Sequence, residues 1–168
     1  MELFIYLFAA LFSVLNPIGT VPIFVALTEG YTSGERAKVS LITSINVLII
    51  LIISFFIGQY VLSFFGITIT ALRIAGGIII TSSGFGLLNG NFSKSKGINK
   101  KVQKEVQNRT HIALTPLAMP MLAGPGSISL LIAFYQEHNT TTEIIISTIA
   151  IAVVAVTIYI ILRSAHYL

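Results

Sequence analysis

Two stretches of this chain carry residue types able to hold a small polar molecule: Asn16-Pro17-Ile18-Gly19-Thr20-Val21-Pro22 and Gly124-Pro125-Gly126-Ser127-Ile128. Neither has the partners of covalent catalysis. An activated serine needs a base within reach, and Ser13, Ser127 and Ser129 have no histidine or carboxylate expected at comparable depth on a neighbouring helix. The chain has no cysteine, and His111, His138 and His166 share no ligand spacing, so neither an enzyme nor a metal or resident cofactor is expected. What these stretches offer is opened backbone. Proline cannot donate to the helical ladder and its ring clashes with the carbonyl four residues back, so Pro17 and Pro22 release the carbonyls of Ser13 and Ile18, and Pro125 releases that of Met121. A half-helix starting after Pro17 or Pro125 points free N–H groups and a positive dipole end at an anion, while the turn before it offers carbonyls to a cation. The expected substrate-binding residues are therefore Asn16, Pro17, Gly19, Thr20, Gly124, Pro125, Gly126 and Ser127. A carboxylate would sit at the amides and hydroxyls of Gly19, Thr20, Gly126 and Ser127, and an ammonium at Asn16 and the carbonyls of Ser13 and Met121.

The elements that must position these residues are membrane helices. With 55% hydrophobic residues, only 10% charged and a mean hydropathy of +0.91, the chain does not read as a soluble domain. Charge-free runs cover 3–28, 39–72, 74–93, 110–136 and 144–162, and each supplies one span. Crossing roughly 30 Å of hydrocarbon takes about 20 apolar residues. The pattern predicts helices from Leu3 to Leu27, Val39 to Phe65 and Ile69 to Leu88, a fourth beginning near His111, and a fifth over 144–162. All five prolines fall in the first and fourth of these. Irregular backbone at bilayer depth is tolerated only where protein buries it or where it lines a wet cavity, so helices 1 and 4 are expected to be broken at the midplane around a solute.

Smaller signals fill in the frame. Thr32 or Ser33 can cap the second helix. Asn46, the one amide within it, is expected to bond across to a neighbour. In the third, Gly77, Thr81 and Gly84 form a small-residue stripe suited to close packing, with Gly76 and Ser83 on an adjoining one. The loop from Lys94 to Arg109 places Ile98, Val102 and Val106 opposite its lysines, which suits either an amphipathic helix on the inner leaflet or a solvated linker. The N-terminus lacks the cationic region and cleavage site of a removed signal peptide. Arg36, Lys38, the basic residues of 94–110 and Arg163 fall on one face of the membrane, leaving Arg73 on the other. This places the N-terminus outside and the loops 28–38 and 94–110 in the cytoplasm. The net charge of +4 is thus a topology signal, and no nucleic-acid partner is expected.

An offset of 108 residues carries Pro17 onto Pro125, Ala10 onto Ala118, Gly19 onto Ser127 and Asn16 onto Gly124. A three-helix unit followed by its copy must insert in opposite senses, as an inverted pair requires. The fold expected is therefore all-α: one polytopic membrane bundle over 1–168, with repeat 1 over 1–93, the basic loop at 94–110 and an incomplete repeat 2 over 111–168. Its third helix has no counterpart, so a sixth helix is expected to be missing through truncation.

The combination of Asn16-Pro17-Ile18-Gly19 with Pro22, Arg73-Ile74-Ala75-Gly76-Gly77, and Pro116-Leu117-Ala118-Met119-Pro120 leading to Gly124-Pro125-Gly126-Ser127-Ile128 resembles the MarC family of bacterial and archaeal membrane proteins. The resemblance covers essentially the whole chain and implies a six-helix protein of the cell membrane that transports small neutral amino acids such as glycine and alanine. Partners are then a small-molecule solute and the lipid bilayer, with a homo-oligomer as a further option. No Asp or Glu lies within a predicted helix core, so a proton relay has no carrier residue. Of the coupling ions to consider, Na+ or H+, the sequence favours sodium held by backbone carbonyls, or else uncoupled exchange. The alternative readings are a small-solute channel or facilitator, and an inactive truncated membrane protein.

Overall fold

The structure is a computed structural model that describes residues 1–88, 113, 117–118 and 122–165. Its elements are helices: α1 (Glu2–Leu15), α2 (Pro17–Leu27), α3 (Ser33–Phe64), α4 (Ile69–Leu88), α5 (Pro125–Glu137) and α6 (Thr141–Ser164). Among the described residues, three segments are long and apolar enough to cross a membrane: Glu2–Leu27, Ser33–Phe64 and Thr141–Ser164. The predicted α4 bounds, Ile69 and Leu88, are those observed. Expectations resting on the loop 94–110, His111, Pro116, Met119 to Met121 and His166 fall outside the described residues.

α1 is held by a one-sided stripe, Leu7, Leu11 and Leu15, each fully buried at four-residue spacing. It stops at Asn16, whose backbone is left-handed at φ 45°, ψ 61°. Asparagine visits this region more readily than other non-glycine residues because its short polar side chain bonds locally. Pro17 then takes the first position of α2, where its missing N–H leaves no intrahelical bond unmade. Pro22 departs from expectation. It lies inside α2, which continues to Leu27, so the chain opens once in this region and not twice. The bond Pro22 cannot make is a single one to the Ile18 carbonyl, and both residues sit on the exposed side of the helix, outside the packed core.

α3 begins six residues before the predicted Val39, because a capping box extends it into the charged loop. Thr32 Oγ1 accepts from the Glu35 amide at 3.3 Å, while the Glu35 carboxylate accepts from the Thr32 amide at 2.9 Å. α6 starts on the same device, with Thr140 Oγ1 accepting from the Glu143 amide at 3.4 Å and Glu143 accepting from the Thr140 amide at 3.2 Å. Along α3, Val47, Leu51 and Phe55 face the core, whereas Leu41, Ile45, Ile49, Ile53 and Ile57 repeat every fourth residue on an exposed, equally apolar face. A helix apolar on both sides belongs in lipid.

The core is built where α3 packs on α5 and α6, and α1 packs on the same two helices. α2 lies against α6, and α4 is peripheral, seated on α5. The α4–α5 seam uses Gly76: a Cβ there would overlap Ser129 Oγ, which itself donates to the Leu72 carbonyl at 3.1 Å. No described atom of another element lies within 4 Å of where a Cβ on Gly77 or Gly84 would stand. The packing glycine is thus on the stripe adjoining the predicted one. At one end of the bundle Arg73 pairs with Glu137 at 2.7 Å, and Gln136 Nε2 donates to Gln59 Oε1, tying α3, α4 and α5 together.

Candidate functional site

The turn between α1 and α2 is organised by Asn16. Its amide donates to the Phe12 carbonyl at 3.1 Å, closing α1. Its side-chain Oδ1 accepts from the Gly19 amide at 3.2 Å, capping α2. Thr20 Oγ1 returns to the Asn16 carbonyl at 3.2 Å. Pro17 and Thr20 are buried, and Asn16 and Gly19 are half-buried.

α5 is entered through a second irregular turn. The Ala123 amide reaches back five residues to the Ala118 carbonyl at 2.8 Å, and the Gly124 amide bonds to the Leu122 carbonyl at 2.9 Å. Gly124 is extended at φ −86°, ψ 175°, and Pro125 opens the helix. Ser127 donates to the Gly124 carbonyl from both its amide, at 3.1 Å, and its hydroxyl, at 2.9 Å. Gly126 and Ser127 are buried, whereas Pro125 is exposed.

These turns come together through Gly126. A Cβ built on it would stand 3.4 Å from Val14 Cγ1 in the last turn of α1 and 3.0 Å from Ile80 Cγ1 of α4. The absent side chain lets three helices close on one point. The contact joins the residues just before Asn16 to those just after Pro125, so the two proline-headed helices start from one level of the bundle. Charged side chains among the described residues lie near helix ends, so this level is polar through helix dipoles, hydroxyls and the Asn16 amide.

Most donors of the site are already engaged. The Gly19 amide, the Thr20 hydroxyl, and the Ser127 amide and hydroxyl, all expected to meet a solute, already have acceptors within the chain. Two buried hydroxyls do not: Thr43 and Ser44 on α3. Asn46, the amide expected to bond across from that helix, is only half-buried. The signal for the other pair was their register, one turn from Val39 and Val47 on the buried face. Among the described residues, no group of three His, Cys, Asp or Glu side chains is placed to hold a metal. The carbonyl of Met121 lies outside the described residues.

The full chain, residues 1–168, matches the family model of the MarC family integral membrane proteins. A UPF0056 membrane protein of Buchnera aphidicola subsp. Schizaphis graminum is 39% identical over 98% of this chain and 75% of its own length. The UPF0056 membrane protein YhcE of Escherichia coli is 35% identical over 96% of this chain and 74% of its own. A UPF0056 membrane protein of Methanocaldococcus jannaschii is 36% identical, covering 99% and 80% respectively. No solved structure matches.

Proposed function

The chain belongs to the MarC family of integral membrane proteins, and we propose that it is a transporter which moves small neutral amino acids across the cell membrane by alternating access. The observation that supports this reading is the closure of α1, α4 and α5 on Gly126, which brings Val14, two residues before Asn16, against the start of α5, one residue after Pro125. Helix starts converging inside an apolar bundle supply partial charges to a zwitterion without a buried ion. The Asn16 cap gives the site a movable part. When its Oδ1 leaves the Gly19 amide, that N–H becomes free for a carboxylate and the Asn16 side chain for an ammonium.

An inverted pair of repeats is the architecture this mechanism uses. Support comes from the offset that carries Pro17 onto Pro125, since it also carries the Thr32–Glu35 capping box onto Thr140–Glu143. It carries the Ser40 hydroxyl bond to the Arg36 carbonyl onto that of Thr148 to Ile144 as well. On this reading the N-terminus lies outside, Arg36 and Lys38 face the cytoplasm, and the Arg73–Glu137 pair marks the outer end. Sodium held by backbone carbonyls, or exchange without an ion, fits a core free of carboxylates.

The test is uptake of radiolabelled glycine and alanine into proteoliposomes. Saturation and counterflow are expected of a carrier, whereas flux linear in concentration would indicate a channel. Pro17→Ala and Pro125→Ala each add an N–H that can join the helix to the segment before it, and both are expected to abolish uptake; full uptake in both variants refutes the proposal.

A further inference from the structure

The described residues include nine buried serine and threonine side chains, and seven of them donate to a backbone carbonyl. Thr20, Thr28, Ser40, Ser54, Ser127 and Ser147 bond within their own helix or its cap, and Ser129 bonds across to Leu72. Thr43, 0% exposed, and Ser44, 5% exposed, stand apart: neither hydroxyl has a partner among the described residues. A serine or threonine in a helix can turn its proton onto the carbonyl four residues back, here those of Val39 and Ser40. These two hydroxyls are turned away from that bond, although an unmade hydrogen bond in a buried position costs free energy.

Their depth matches that of the site. The Arg36 Nε bond to the Thr28 carbonyl, 3.2 Å, ties the start of α3 to the end of α2. From there, at a rise of 1.5 Å per residue, Thr43 lies about 10 Å along α3 and Thr20 about 12 Å along α2. The unpartnered hydroxyls therefore reach the level of Thr20, the site residue one turn into α2, about 6 Å short of Asn16.

We infer that Thr43 and Ser44 form the anionic-group subsite of the transported solute, donating hydrogen bonds to its carboxylate. The inference rests on the transport reading and adds to it two binding residues on a third helix. The sign follows from where the protons are. A hydroxyl bonded to its own helix has spent its proton and shows lone pairs outward, which suits a cation; Thr20 and Ser127 are of that kind. A hydroxyl without such a bond has its proton to give, and two of them at successive positions, about 100° apart around α3, flank one ridge of the helix. An acceptor-bearing ligand seated there satisfies both. A carboxylate does so with charge-assisted bonds, in a core that contains no competing anion.

The experiment is thermal unfolding of the purified full chain in detergent, with glycine, acetate and methylamine each as probe, alongside glycine uptake in proteoliposomes. Glycine is expected to raise the Tm of the wild type, acetate to raise it less, and methylamine to leave it unchanged. Thr43→Val and Ser44→Ala are each expected to weaken the apparent glycine affinity about tenfold or more, the loss of one charge-assisted bond. Without ligand, Thr43→Val is expected to unfold at or above the wild-type Tm, because a methyl group replaces a hydroxyl that had no partner. Thr43→Ser keeps the donor and is expected to keep the glycine shift, and Ser54→Ala, whose hydroxyl is bonded to the Ile50 carbonyl, is a control that should keep it too. An equal glycine shift and an unaltered uptake KM in Thr43→Val and Ser44→Ala overturn this inference and leave transport standing. A methylamine shift abolished by these variants overturns the carboxylate assignment in favour of a cation. A wild type that shows neither uptake nor a thermal shift overturns both readings.

Discussion

Gly126 at the start of α5 lies against Val14 in the last turn of α1, near enough that a Cβ would be 3.4 Å from Val14 Cγ1 while crowding Ile80 Cγ1 at 3.0 Å. The first distance is ordinary contact and the second is tight, so a single methyl would press on Ile80 and a branched side chain would press on both. Gly126→Val is therefore expected to push α1 and α4 off α5. Overpacking of this kind costs about 1–3 kcal/mol, visible as a lower midpoint of unfolding in detergent. Uptake in reconstituted vesicles should fall further than Gly126→Ala makes it fall. A wild-type midpoint and wild-type uptake in Gly126→Val would show that the closure has no structural weight.

The α4–α5 seam gives a second test. α4 is seated through Gly76 on Ser129, and an alanine at position 76 would overlap the serine hydroxyl. Gly76→Ala is expected to destabilise the bundle by about 1–3 kcal/mol through overpacking. Ser129→Gly in the same chain should recover most of that loss, because the two positions share one contact. A double-mutant cycle in thermal unfolding measures the recovery. Additive losses would mean that the seam is held elsewhere, for instance by the Arg73–Glu137 pair, whose side chains are 46% and 56% exposed.

Much of this arrangement is legible in the residues alone, and what is not has a physical reason. Charge-free runs mark α1 with α2, α3, α4 and α6 because lipid excludes charge, and the turn at Gly66 appears where expected, with φ 67°. The stop at Asn16 was legible since a proline disfavours helix at the residue before it and cannot donate to the ladder behind it. The continuation of α2 through Pro22 was not, because the effect of one lost bond depends on which side of the helix it faces. Gly76 and Gly77 differ by about 100° around α4, so which of them packs is decided by where α5 arrives. The engaged state of the Gly19 amide and the free state of the Thr43 and Ser44 hydroxyls are rotamer choices, and spacing carries no information about them.

The paired capping boxes make a prediction about symmetry. Thr32 and Thr140 hold the starts of α3 and α6 with the same reciprocal bonds to Glu35 and Glu143. Thr32→Ala and Thr140→Ala are each expected to cost about 1 kcal/mol. In amide exchange, faster opening should be confined to the first turn of the affected helix. Equal effects are expected because both boxes sit in exposed turns, and a tenfold disparity in local exchange would show that the two starts are held by different contacts.

Asn16 combines two demands that substitution can separate. Its backbone is left-handed at φ 45°, and its side chain caps α2 by accepting from Gly19 at 3.2 Å. Asn16→Gly satisfies the backbone and forfeits the side-chain cap, a replacement that costs a few tenths of a kcal/mol at ordinary caps, about 0.3. Asn16→Ala forfeits the cap and keeps a Cβ in the left-handed region without asparagine's local side-chain bonding, so it carries about 1–2 kcal/mol of strain that Asn16→Gly does not. The expected order of unfolding midpoints is wild type, then Asn16→Gly, then Asn16→Ala, with the wider gap between the two variants. If the cap outweighs the backbone, both variants will fall together, and the gap will open between them and the wild type instead. Uptake distinguishes a further consequence. Asn16→Gly leaves the Gly19 amide permanently free, so on the proposed mechanism it should still bind glycine while losing the change of partner that accompanies release, seen as a lowered maximal rate with KM unchanged or reduced.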